Sequence, residues 1–241
     1  MITKAHTVKD VLIHNHFLEM VLERYDVLAE ERNSKIEVIA KAKGVEIDFF
    51  VEILNLFDSE KPFSKDNLLH YDIPVVLDYL ERTHRYYLGK RLFELESSVH
   101  EVCSENYKDH YLQNLLHNFF TEFKTELWEH IEMEENFLFP HINFLQVAQK
   151  NYCPIEAKRK LKNFSAEKFT ADHGDDSEKQ LSELFDILDY LFPHTHFLSP
   201  VSVLKQQLRC FEKDLHIHAL VEDEVLMPKV LALESALVIS L

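Results

Sequence analysis

The sequence predicts an all-α protein: an antiparallel four-helix bundle preceded by a small helical N-terminal domain. Three observations predict it. Only 3 Gly and 7 Pro stand in 241 residues, so there is little material for hairpins and tight turns. Apolar residues recur at helical spacing through four long stretches joined by short connections. Two of those stretches also carry the same histidine-and-glutamate motif.

The elements follow in chain order. Residues 1–60 form the small helical domain. VKDVLIHNHFLEMVLERY has the spacing of one amphipathic helix. NSKIEVIAKA begins a second, with Asn33 or Ser34 as N-cap and Gly44 as its stop. Asp48 is placed to cap a third, IDFFVEILNLF. DSEKPFSKDN, residues 58–67, is polar, contains a proline and reads as a linker. The bundle occupies residues 67–241, with helical patterns over about 67–99, 104–147, 154–191 and 200–235. FPHTHFLSP, residues 192–200, has two prolines and is the clearest turn. Pro140 and Pro228 are expected to kink or end the second and fourth helices, because proline lacks an N–H and clashes with the preceding turn.

Composition narrows the function. The formal charge of −16 would repel a phosphate backbone or an anionic bilayer, so neither nucleic acid nor membrane is expected as a partner. Cys103, Cys153 and Cys210 make no CxxC and no disulfide framework. There is no signal-peptide pattern and no apolar run long enough for a membrane span, and the expected location is the cytoplasm.

The chemistry lies in a repeat. HIEMEENFLFP (130–140) and HALVEDEVLMP (218–228) share His, three residues, Glu, five residues, Pro. His84 in LERTHRYYL precedes the first copy, and His173 in FTADHGDDS precedes the second at nearly the same distance. Each half thus reads His, about one helical hairpin, then His-x-x-x-Glu. On a helix, positions i and i+4 share a face about 6 Å apart along the axis. His130 with Glu134, His218 with Glu222, and the lone His84 and His173 would converge from four helices. Six donors exceed a structural zinc site and hold too much nitrogen for calcium or magnesium. Iron, manganese and zinc all accept them. Two metals bridged by the glutamates, with a solvent-derived oxo or hydroxo bridge, would keep a position open for O2, NO or peroxide.

A single His-x-x-x-Glu is more often a surface ion pair than a ligand pair, and the case rests on the set. His216 should face away from His218. His70, His100, His110, His117 and His141 read as solvated or as supports of the ligands, and His194 and His196 lie in the turn. Glu126 and Asp172 are candidates to orient ligands. Glu135 and Glu224 read as surface charges, and Trp128, Phe137 and Phe139 as core.

These residues resemble the hemerythrin-like (HHE cation-binding) family, and more closely the di-iron proteins that repair iron–sulfur clusters after nitrosative or oxidative stress (the RIC family). The resemblance is carried by THRYYL with His84, EHIEMEENFLFP with His130 and Glu134, ADHGD with His173 and HALVEDEVLMP with His218 and Glu222, and it covers nearly the whole chain. It implies a centre of two non-haem Fe ions, four terminal histidines and two bridging glutamates. Manganese or zinc are the substitutes. Residues 8–54 are similar to that family's small helical domain, including its Arg-Tyr-Gly/Asp stretch. That family usually has a Cys-Cys pair just after it. Here the chain reads RYDVLAEERNS, and any thiol-dependent step is without its cysteines. The domain is then a docking or homodimerisation element.

The implied function is iron redox chemistry or iron donation to damaged iron–sulfur proteins. The alternative is an O2- or NO-binding module that signals through its N-terminal domain, and a third reading is a metal-free helical interaction protein. The residues leave open whether the centre turns a substrate over, as an enzyme would, or holds it reversibly.

Overall fold

The computed structural model describes residues 1–59, 63–106, 110–151, 159, 161, 164–172, 177–192 and 199–239. Among them the protein is all-helical, and the only extended pairing is a single bridge between Thr7 and Lys35. No described helix is long and apolar enough to cross a membrane. The chain divides into two compact units. One is Met1–Tyr86 with Ile217–Pro228, and the other is Tyr87–His216 with Lys229–Leu241. The polar stretch 58–67 falls inside the first of these ranges.

In the first unit, α1 (Val8–His14) opens with a capping box in which Thr7 and Asp10 satisfy each other's backbone N–H groups. The sequence suggests one helix from Val8 to Tyr25, but the chain breaks after His14. Asn15 explains the break: its side-chain oxygen accepts from the Phe17 N–H at 3.0 Å, and its amide donates to Asp58 at 3.2 Å. α2 (Leu18–Glu23) is capped by Arg24, and two residues further on the chain turns at Asp26, which has φ 54. Only Gly, Asn or Asp enter that left-handed region at low cost. α3 (Ile36–Ala42) is capped by the Lys35 position without a side-chain bond, so neither Asn33 nor Ser34 fills the expected role. Gly44, with φ 68, lies just past its end, as expected. α4 (Ile47–Asp58) is capped by Glu46, whose carboxylate accepts from the Phe49 N–H; Asp48 sits in the first turn instead.

α5 (Ile73–Tyr86) starts later than the pattern suggests, with Pro74 in its first turn, where a missing N–H costs nothing. Its inner face joins the N-terminal helices in one core. Phe49 meets Tyr71 and Tyr79 edge-on at 5.0 and 6.1 Å, and Tyr25 meets Phe50 at 4.6 Å.

The second unit begins with a π-helical turn, Tyr87–Arg91, followed by α6 (Leu92–Asn106) and α7 (His110–Met133). A second π turn, Glu134–Leu138, leads into α8 (Phe139–Lys150). α9 (Ala166–Asp172) and α10 (Ser177–Leu191) are the described helices of the third pattern. α11 (Pro200–Val221) contributes its residues up to His216, and a third π turn (Glu222–Leu226) precedes α12 (Met227–Ile239). α7 packs on α6 and α10. Phe211 of α11 fills the core, edge-on to Tyr87 at 5.0 Å and to Phe123 at 6.2 Å. Phe120, Phe123 and Phe211 are each at most 1% exposed. Each such side chain contributes about 1.5–3 kcal/mol by burial.

Pro140 and Pro228 do not end their helices, which continue past them. Each is the second residue of the helix that follows a π turn.

Candidate metal centre

The first unit brings together two of the expected ligands. His84 lies in the last turn of α5, on the stripe that also buries Val76, Leu77 and Leu80. His218 lies in the last turn of α11, one turn beyond Asp214 and Leu215. Their Nε2 atoms are 3.0 Å apart and their ring centroids 5.0 Å apart, with exposures of 1% and 5%. Glu222 follows His218 by one turn, is half-buried and heads the third π turn, against which α5 packs.

The second unit brings together another pair. His130 Nε2 lies 2.8 Å from Glu134 Oε1, and the Glu134 side chain is 1% exposed. Taking a carboxylate this far from water costs several kcal/mol unless cations or donors compensate it. His84 and His218 in the first unit, and His130 and Glu134 in the second, each belong to a cluster of His and Glu side chains that could hold a metal ion.

The distances test the fit to a metal. With bonds of roughly 2.0–2.1 Å, two ligands about 90° apart at the ion are about 3.0 Å from each other, and two at the tetrahedral angle about 3.4 Å. The 3.0 Å between His84 and His218 matches neighbouring positions on a five- or six-coordinate ion. The 2.8 Å between His130 and Glu134 does so as well. Donors at these separations could hold a metal ion.

The local fold explains why the two glutamates are alike. The Phe139 N–H donates to the Glu134 carbonyl, five residues back, and the Met227 N–H donates to the Glu222 carbonyl in the same way. The next residue in each copy is proline, which has no N–H to offer. A wide turn moves the preceding carbonyls away from its ring, so helicity continues through the proline. The motif Glu-x5-Pro is therefore the signature of a π turn headed by the glutamate. The Tyr87–Arg91 turn stands three residues after His84. π turns of this kind occur frequently at functional sites.

His173 lies outside the described residues, as do His194 and His196. By chain position His173 falls in the range of the second unit, so each range contains two of the histidines and one of the glutamates. Asp172 ends α9. Glu126 is exposed and accepts a hydrogen bond from Gln180. His216 is exposed, facing away from buried His218, and His70, His100 and His117 are exposed as well. Glu224 pairs with Lys65 at 3.0 Å, and Glu135 is half-buried. Phe139 is buried and Trp128 half-buried, but Phe137 is 51% exposed and is not core. It occupies the outer side of the π turn, where the added residue shifts the apolar phase.

Sequence reasoning missed several buried polar groups, Arg24 and His141 among them. His141, read as solvated or as a ligand support, is buried in the second unit and bonded to Glu234 at 2.7 Å. Arg24 is 4% exposed in the first unit. Neither sits in a motif; the only available signal was a charged residue on an otherwise apolar stripe.

No protein-family model matches the chain, and no curated protein matches it.

Proposed function

We propose that this chain is a non-haem di-iron protein of the iron–sulfur cluster repair type, acting under nitrosative or oxidative stress by iron redox chemistry or iron donation. Its ligand-bearing helices would form a hemerythrin-like four-helix bundle. His84, His130, His173 and His218 would be terminal ligands, and Glu134 and Glu222 would bridge. The observation that carries the proposal is the buried His84–His218 pair, with Nε2 atoms at the separation of adjacent ligands. The His130–Glu134 pair supports it, as does the identical wide turn headed by each glutamate. The assignment to cluster repair rests on the sequence resemblance.

Bound iron would supply one-electron redox chemistry and an open position for O2, NO or peroxide. The protein's own part is to hold these donors away from water. His84, His218 and Glu134 are each at most 5% exposed, so solvent has little access to the donor atoms. Each metal would take two imidazoles and one oxygen from each bridging carboxylate.

The second reading is an O2- or NO-binding module, and one observation favours it. The first unit contains no cysteine, since Cys103, Cys153 and Cys210 all fall in the second. Passing iron through N-terminal thiols is therefore not available to this chain.

The test is metal content and visible and Mössbauer spectra of full-length protein purified without chelator, before and after dithionite and NO. About two irons per chain, with an oxo-bridge absorption that reduction bleaches, is the expected result. Glu134→Ala and Glu222→Ala should each lose metal. A chain that carries no metal and takes up none from anaerobic ferrous iron would end this reading. Reversible rather than consumptive binding of O2 or NO would select the second reading.

A further inference from the structure

We propose that Arg24 is a positioning residue for His84: it clamps the last two turns of α5 and so sets where the imidazole meets His218. This rests on the metal reading above. Arg24 stands at the C-terminal end of α2, where a cation is favoured by the helix dipole. Its Nη1 donates to Thr83 Oγ1 at 3.1 Å and to Tyr79 Oη at 3.3 Å. Its guanidinium carbon lies 5.2 Å from the ring centre of Phe57, 5.7 Å from Tyr79 and 5.6 Å from Tyr86. The Thr83 hydroxyl donates in turn to the Tyr79 carbonyl at 2.8 Å. The residue before Arg24 joins in: Tyr86 Oη donates to Glu23 Oε2 at 3.4 Å.

A guanidinium is a costly group to bury, and apolar packing alone would hold a helix at less expense of desolvation. What the guanidinium adds is direction. Donors and stacked rings at positions 79, 83 and 86 fix the rotation of α5 about its own axis. Apolar contact alone would let it turn. Rotation is what His84 is sensitive to. An imidazole nitrogen stands roughly 7 Å from the helix axis, so a turn of about 10° moves it about 1 Å. Metal bonds tolerate about 0.2 Å. Thr83 is the residue next to His84 in the chain, so the clamp acts on the turn that carries the ligand.

The experiment titrates anaerobic cobalt(II) into the full-length chain and reads its visible d–d spectrum, with far-UV circular dichroism as the control for folding. Arg24→Met and Thr83→Val are expected to weaken cobalt(II) binding about 10–100-fold and to alter the d–d band shape, with helicity unchanged. Thr83→Ser, which keeps the hydroxyl, should retain the wild-type spectrum. Arg24→Lys, which keeps the charge but not the planar fork, should not. The double variant Arg24→Met/Thr83→Val should be no worse than the weaker-binding single one. If Arg24→Met fails to fold, the Thr83 pair decides. Folded variants with wild-type affinity and spectrum would overturn the proposal alone. A wild-type chain that binds no cobalt(II) would overturn the metal reading and the proposal with it.

Discussion

Replacing Glu234 by Ala should destabilise the second unit far more than replacing it by Gln. Glu234 is 8% exposed and so is His141. One carboxylate oxygen, Oε1, serves two donors: His141 Nε2 at 2.7 Å and the backbone N–H of Ala166 at 2.9 Å. The Phe164 ring packs edge-on against His141 at 4.8 Å, closing that side to water. Glu234→Ala removes the acceptor and strands both partners. Losing a buried hydrogen bond to a charged group costs about 1.5–3 kcal/mol, and an orphaned buried N–H about 1–3 kcal/mol. The two losses share one atom, so the total is expected at about 3–5 kcal/mol, inside the span of their sum but short of its upper end. Glu234→Gln keeps an oxygen in place for both donors and should cost about 1–1.5 kcal/mol. At about 2–4 °C per kcal/mol for a chain of this length, the alanine variant should melt about 6–20 °C lower.

The assay is urea unfolding of metal-free protein. Trp128 is the single tryptophan and lies in the second unit, so its fluorescence reports that unit, while far-UV circular dichroism reports the whole chain. Using both covers the case in which the two units unfold separately. The reasoning fails if the alanine and glutamine variants agree within about 0.5 kcal/mol. It also fails if alanine costs less than about 1 kcal/mol, because that is the scale of a single exposed bond.

Other expectations are briefer. Gly44→Ala should destabilise by about 1–2 kcal/mol, because φ 68 is left-handed, even though an added Cβ would meet nothing within 4 Å. Gly89→Ala, equally open but without a positive φ, should instead stabilise by about 0.4–1 kcal/mol; urea titration distinguishes the two signs. Burial, then the Glu46, Glu52 and Asp48 carboxylates, push the Tyr71 hydroxyl from 10.0 up to about 12. The neutral phenol is the form the fold favours, so its contribution is full below pH 10 and is lost as pH rises towards 12. Phenolate absorbance should show that late step and Tyr71→Phe should remove it. Burial also raises the Cys103 and Cys210 thiols, so both should alkylate more slowly than a free thiol at neutral pH until urea exposes them.

The helical class was legible because helix formation is a local affair of spacing, and the spacing extends over several turns in each stretch. The ligand residues were legible for a different reason: a repeated motif is visible without any structure. The Phe139 and Phe137 pair marks where the pattern runs out. A uniform period of 3.6 residues treats the second helix as one stripe, but the wide turn at Glu134 adds a residue and puts Phe137 outside. The break after His14 was hidden because Asn15 suits a helix surface as well as it suits a turn. What decides is its bond to Asp58, which is distant in sequence. Arg24 and His141 were beyond reach on the same ground. Their partners stand 55 to 93 residues away, and a polar residue on an apolar stripe does not say what it bonds to.

The three wide turns behave like dislocations in a crystal. On either side the helical lattice is regular, and across the fault it is out of step by one residue, about 100° of phase. In the helices that carry Glu134 and Glu222 the fault begins at the glutamate itself. The segment before it can be selected for where His130 or His218 points, and the segment after it for how α8 or α12 packs. Neither has to compensate the other. A single-residue deletion between Glu135 and Leu138 would close the wide turn and press the Pro140 ring on the carbonyls before it, whereas the same deletion in the middle of α7 would throw an unbroken stripe out of register. The length of each of these two faults is therefore fixed at both ends, by the glutamate that heads it and by the proline that follows it.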